Sequence, residues 1–188
     1  TRVDLSQHIM ANVQQLSVMI DDLVKILRLN TGTFDFQYAA VDVITLVEDT
    51  ITHVASQLRE KALSLNLSLD DATPHIYGDE ESIRQIFECM LTNAYLASSI
   101  GDEIAVQVGA EQVSLSHELS LEDVVIISVR NQGEGISPND LNVMGAGMFI
   151  TKLLVEAHGG RMWFESDVGE GRVFKVILPI QLTVDEES

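Results

Sequence analysis

Cysteine is nearly absent from this chain, and positive charge is scarce. Cys89 is the only thiol in 188 residues, so no intrachain disulfide can form, and the composition suits a reducing compartment. Against 29 Asp and Glu stand only 11 Lys and Arg, giving a formal net charge of −18. Such acidity argues against nucleic acid or an anionic membrane as the main partner. No apolar run approaches the ~20 residues of a membrane helix, and no secretory leader is visible. Internal repeats and low-complexity linkers are missing. No G-K-[ST] of a P-loop occurs, and the glycine pairs lack the third glycine of the dinucleotide fingerprint.

What is present is a chain that is 46% hydrophobic, enough for one domain of average size with a small appendage. Leu5, Ile9, Val13, Leu16, Ile20, Leu23 and Leu27 recur at spacings of 4, 4, 3, 4, 3 and 4, the seam of a bundle or coiled-coil helix. Asn30-Thr31-Gly32 stops it, with Gly32 as a left-handed cap. Such a seam packs either on its own domain or in a dimeric helical hairpin. The start at Thr1, without Met and inside this helix, reads as a piece of a longer protein. Phe34–Tyr38 alternates and predicts a strand. Asp42 is a good N-cap for a helix over Val43–Lys61. Leu63–Leu69 predicts a half-buried strand, Ile76-Tyr77 a short one, and Asp79 caps a helix over Glu80–Ala97 with Ile83, Ile86, Phe87, Met90, Leu91 and Ala94 on its apolar face. Strands follow at Glu103–Val108 and Val124–Val129, with a polar stretch around Gln112–Glu122 between them. Ser137-Pro138 reads as a helix start, Gly147–Ala157 as the last helix, and Arg161–Glu165 with Arg172–Leu178 as a hairpin. This order predicts an α+β fold, a two-layer α/β sandwich with a mixed sheet packed on helices.

Three stretches carry chemistry. Asn93-Ala94 lies late in the Glu80–Ala97 helix, close to Glu88. A carboxamide is an uncharged oxygen donor, suited to a Mg²⁺ ion whose charge phosphates already balance. Asn131 ends a buried strand and leads into Gly133-Glu134-Gly135, a turn whose backbone can pass close to a ligand. Gly145-Ala146-Gly147 opens a helix whose free N–H groups suit an anion. Alone, each has a blander reading: a surface or cap asparagine, and tight turns.

Together, in this order, these elements resemble the histidine-kinase-like ATPase superfamily, and within it the catalytic, ATP-binding domain of two-component sensor histidine kinases. The resemblance runs from about Ile20 to Pro179. Gly78–Ile86 resembles the segment entering the family's asparagine box, and His158–Ser166 with Gly169-Glu170-Gly171 resembles its C-terminal hairpin. Ile20–Gly32 resembles the second helix of the dimerisation and phosphoacceptor hairpin. The resemblance implies a catalytic ATP-binding domain over residues 33–188, preceded at 1–32 by part of a dimerisation helical region. It implies Mg²⁺ on Asn93 and ATP held by Asn93, Asn131, Gly133, Gly135, Ile136, Gly145, Gly147 and Met148. It further implies a phosphoacceptor histidine upstream of Thr1, a homodimer through the N-terminal helix, a response-regulator receiver domain as partner, and a cytoplasmic location, as the cytosolic part of a longer sensor.

Several positions depart from the family pattern. Asn131 replaces an aspartate that accepts from the adenine amino group; the amide oxygen can still accept, without the charge-assisted part, roughly 1 kcal/mol. Leu96 stands at an often basic position, Cys89 at an asparagine, and Val143 and Ala146 depart within the second glycine box. Only Ser137–Met144 stand where this family carries a lid of some twenty residues; either the lid is short, or a loop near Asn142–Val143 is left out of the numbered sequence. Ser116-His117-Glu118-Leu119 imitates a phosphoacceptor box but lies between predicted strands and lacks the following basic residue and proline. His8 lies in the half of the hairpin that pairs with the acceptor helix. His53 and His75 lack metal-ligand spacing, and His158 reads as a structural residue. The departures leave open a second function, a degenerate pseudokinase that docks or regulates with little or no ATP binding.

Overall fold

The computed structural model describes residue 17 and residues 20–113, 122–132, 146–167 and 171–180. Helix α1 covers residues 20–30. Then follow β1 (Tyr38–Val41), α2 (Val43–Glu60), β2 (Ser64–Leu69), β3 (Ile76–Asp79), α3 (Glu80–Ala97), β4 (Glu103–Val113), β5 (Glu122–Asn131), α4 (Ala146–Ala157), β6 (Arg161–Asp167) and β7 (Gly171–Pro179). A five-stranded sheet runs β2-β4-β5-β7-β6, and a two-stranded sheet pairs β1 with β3. β2 lies parallel to β4, whereas β4–β5, β5–β7 and β7–β6 are antiparallel. The sheet is therefore mixed, as expected from the order of elements.

The two long helices begin where their caps dictate. Asp42 accepts from the Thr45 amide at 3.2 Å, and Asp79 from the Ser82 amide at 2.8 Å; each satisfies an N–H that has no partner in the first helical turn. The helices cover one face of the large sheet. Ile83, Ile86, Phe87, Met90, Leu91 and Ala94 of α3 are all buried, as the helical spacing predicted. They meet Ile104, Val106 and Val108 of β4, Val125, Ile127 and Val129 of β5, and Phe174, Val176 and Leu178 of β7 in one core. Alternate residues of the same strands, such as Gln107, Ser128 and Lys175, face the other side.

Two expectations shift. Residues 34–37 are not in a strand: the first strand is Tyr38–Val41, because pairing with β3 runs only from Tyr38↔Asp79 to Val41↔Ile76. Phe34 and Phe36 instead pack their rings 4.6 Å apart, and Phe36 meets the His158 ring edge-on at 5.4 Å. The strand starting at Glu103 continues past Val108, since antiparallel pairing with β5 extends to Val113↔Glu122; backbone pairing tolerates the exposed polar side chains that made this stretch read as loop. The expected helix start at Ser137-Pro138 lies outside the described residues.

α1 decides where its seam faces. Ile20, Leu23 and Leu27 are 60%, 61% and 63% exposed, while Ile26 and Leu29 pack against the core. Lys25 hydrogen-bonds Gln85 of α3 and lies over the Phe34 ring. The described part of the seam therefore turns away from its own domain. Among the described residues no helix is long and apolar enough to cross a membrane.

Candidate functional site

β5 delivers its last side chain to the core face of the sheet. Side chains alternate along a strand, so Asn131 shares a face with Ile127 and Val129, and it is only 3% exposed. Its backbone is held on both sides, opposite Ile104 of β4 and Arg172 of β7. Gly171, at φ +85°, lets β7 start there: a Cβ on Gly171 would stand 2.0 Å from the Asn131 carbonyl oxygen. The Asn131 Nδ2 is buried and has no hydrogen-bond partner among the described residues. Buried amide donors are paired in the great majority of proteins, so this one marks a place where something else belongs.

α3 brings Asn93 to the same place. Asn93 and Asn131, with Met90, Ala94, Val129, Phe164, Arg172 and Phe174, line a cavity of about 50 Å³, which admits the edge of a ring rather than a whole nucleoside. The Asn93 Nδ2 donates to the Cys89 carbonyl at 2.7 Å and lies 3.3 Å from the Cys89 thiol. The amide donor is thus engaged by the helix, and the oxygen of this exposed side chain is the end available to a ligand. Asn93 also borders a second, open cleft of about 350 Å³ with Gln85, Glu88, Cys89, Thr92, Gly147 and Met148. Gly147 and Met148 belong to the first turn of α4, which carries no acidic residue despite the −18 net charge of the chain; an anion would meet the positive end of the helix there. Burial pushes the Cys89 thiol above its ordinary pKa, so it remains a neutral lining group rather than a nucleophile.

Of the residues expected at the site, Asn93, Asn131, Gly147 and Met148 therefore converge. Gly133, Gly135, Ile136 and Gly145 lie outside the described residues, as do His8 and the His117 segment. The cleft also holds Gln85, Glu88, Cys89 and Thr92, which no motif singled out as ligand contacts. Their spacing is legible in hindsight: positions 85, 88, 89, 92 and 93 form one helical stripe beside the apolar face. The cavity's Phe164 and Arg172 come from the hairpin and depend on long-range register. Larger hollows of about 560 and 400 Å³ lie on the sheet's outer face, sharing Gln107, Ser128 and Lys175, and contain none of the expected residues.

His158 sits behind the site as a strut. It is 3% exposed; its Nε2 accepts from the Asp79 amide at 3.1 Å and its Nδ1 donates to the Leu154 carbonyl at 2.7 Å. It joins the end of α4 to the cap of α3, the structural role expected of it. Burial holds its pKa below the ordinary histidine value, outweighing the Leu154 carbonyl and the nearby Asp79 carboxylate. Burial pushes the Asp79 carboxyl up, but hydrogen bonds from Ser82 and the Gln37 amide outweigh it and leave the pKa below the ordinary value. Among the described residues there is no cluster of three or more His, Cys, Asp or Glu fit for a metal ion. Among the described residues the oxygen donors at this cleft include the Asn93 carboxamide and the Glu88 carboxylate.

The family model described as histidine kinase-, DNA gyrase B-, and HSP90-like ATPase matches residues 78–182. The chain is 26% identical over 191 residues to the alginate biosynthesis sensor protein KinB of Pseudomonas aeruginosa, covering 94% of this chain and 30% of KinB. It therefore spans less than a third of that relative's length. Among solved structures, full-length ShkA in complex with AMPPNP superimposes with a TM-score of 0.74 at 21% identity, over 88% of this chain and 36% of that one. Histidine kinase ThkA in complex with response regulator protein TrrA gives 0.67 at 18% identity, over 89% and 49%. These structures share the fold. None of these descriptions names a degenerate docking module, so the pseudokinase alternative gains no support from them.

Proposed function

The chain belongs to the histidine kinase-, DNA gyrase B-, and HSP90-like ATPase family, and from that premise we propose that it is the ATP-binding catalytic part of a sensor histidine kinase. It would pass the γ-phosphoryl group of ATP to a histidine outside residues 1–188, and thence to a response-regulator receiver domain. Residues 33–188 would form the catalytic domain and residues 1–32 part of the dimerisation region. The observation that carries the reading is the convergence of Asn93 with the buried Asn131 amide, whose Nδ2 has no partner among the described residues, on one side and with the start of α4 on the other.

The roles follow from the chemistry of each group. Asn131 offers a hydrogen-bonding edge to a base, and Phe164 an apolar ring beside it. Gly147 and Met148, at the positive end of α4, would face phosphate oxygens. Gly133, Gly135, Ile136 and Gly145 would complete the base and phosphate contacts. The Asn93 side-chain oxygen would hold Mg²⁺, which when bound neutralises phosphate charge and orients the phosphates. In such transfers the protein contributes mostly positioning and charge compensation. The ThkA–TrrA complex supports a receiver domain as partner, and the exposed seam of α1 supports a homodimer.

Calorimetric titration with Mg²⁺-ADP tests the reading. Binding is expected in the range of tens to hundreds of micromolar, roughly 5–6 kcal/mol. Asn93→Ala is expected to weaken it by about tenfold or more, the loss of one metal ligand. No heat at millimolar nucleotide from folded protein would overturn the assignment.

A further inference from the structure

We propose that Asn131 makes the base-reading end of this site accept purine nucleotides with either an amino or an oxo group at C6; the inference rests on the nucleotide reading above. The side chain cannot turn away. It is 3% exposed, its backbone is paired with Ile104 and Arg172, and strand alternation commits it to the face that lines the cavity with Asn93. Its Nδ2 finds no partner among the described residues, a cost that a ligand acceptor removes.

A carboxamide presents one acceptor and one donor side by side, and the two ends have nearly the same shape. Against a 6-aminopurine, Oδ1 accepts from the amino group and Nδ2 donates to ring N1. Against a 6-oxopurine, the amide turned by half a rotation donates from Nδ2 to the C6 oxygen and accepts at Oδ1 from N1–H. Neither arrangement alters the packing of the cavity wall. A carboxylate at position 131 would only accept. It would pair with an amino group and repel a C6 oxygen, leaving that oxygen buried against like charge. Asn131 thus removes a discrimination that an aspartate would impose, and 6-oxopurine nucleotides become ligands of the same site.

The test compares Mg²⁺-ADP with Mg²⁺-IDP, which differ at the C6 substituent and the N1 proton, by calorimetry on the full chain. The two dissociation constants are expected to agree within about threefold. In Asn131→Asp the preference for ADP is expected to rise by about tenfold or more, as one donor becomes an acceptor opposite O6. Circular dichroism checks that the variant is folded, and the wild-type comparison decides by itself if it is not. A wild-type protein that binds ADP and prefers it over IDP by about tenfold or more overturns this inference and leaves the nucleotide reading standing. Failure of both nucleotides to bind overturns both.

Discussion

His158 shows how a single buried residue can link stability to pH. Its ring is neutral, with both nitrogens engaged by the Asp79 amide and the Leu154 carbonyl, and its folded pKa lies below the ordinary 6.5. The unfolded chain takes up the proton first as pH falls. The contribution of this histidine is therefore complete above about pH 6.5 and is lost as pH falls from there toward the depressed folded value. Asp79 titrates in a separate, lower window, because its stabilisation is present above about 3.8 and is lost below it. Urea unfolding between pH 7.5 and 5 is expected to show falling stability, and His158→Gln is expected to flatten that slope while costing about 1–3 kcal/mol at pH 7.5. An unchanged slope would mean that another group titrates. The structural role of His158 was legible from its place at a helix end, but its partners were not. Asp79 is 79 residues away, and no local pattern records such a contact. Asn93 and Asn131 were legible as residue types on the right elements. That the Asn131 Nδ2 would be buried with no partner among the described residues was not, because this depends on what β7 brings to its other side.

At the scale of elements, the junction of β5 and β7 holds Asn131, the residue proposed above to read the base. Gly171 adopts φ +85°, and an added Cβ would meet the Asn131 carbonyl oxygen at 2.0 Å. Backbone must move to admit it, and the strain of a side chain at this φ adds to the cost. Gly171→Ala is expected to lower unfolding free energy by about 1–3 kcal/mol and to weaken Mg²⁺-ADP binding severalfold through displacement of Asn131. Thermal melts with and without nucleotide separate the two effects, and a variant with unchanged melting and affinity would show that the contact relaxes without consequence. Helices were the elements best read from sequence. Asp79 and the spacing from Ile83 to Ala94 fix α3 locally, and its bounds came out as expected. Strands were read less well, because their extent is set by a distant partner. β1 begins at Tyr38 and β4 runs to Val113 for that reason.

For the whole molecule, an acidic chain that leaves an apolar stripe uncovered needs an explanation for both. With a net charge of −18, two copies repel over any broad surface, and association needs a local apolar gain large enough to outweigh that repulsion. The α1 face with Ile20, Leu23, Val24 and Leu27 is between 42% and 63% exposed, while its opposite side, through Ile26 and Leu29, is anchored to the core. A second copy of the same helix is the occupant that the three-four spacing suits. Burying a leucine fully is worth roughly 1.5–3 kcal/mol, so Leu23 and Leu27 on each of two chains supply a large share of a dimer's affinity. Replacing both with aspartate removes this gain and places like charges in the seam. Sedimentation of the wild-type chain is expected to give a dimer weakened by low salt, since screening relieves the acidic repulsion. Leu23→Asp with Leu27→Asp is expected to be monomeric at all salt concentrations, with Mg²⁺-ADP affinity unchanged, because the proposed nucleotide site is lined by α3, β5 and α4 and not by the seam. A double variant that still dimerises would move the interface elsewhere, and one that lost nucleotide binding would show that the helix and the site are coupled.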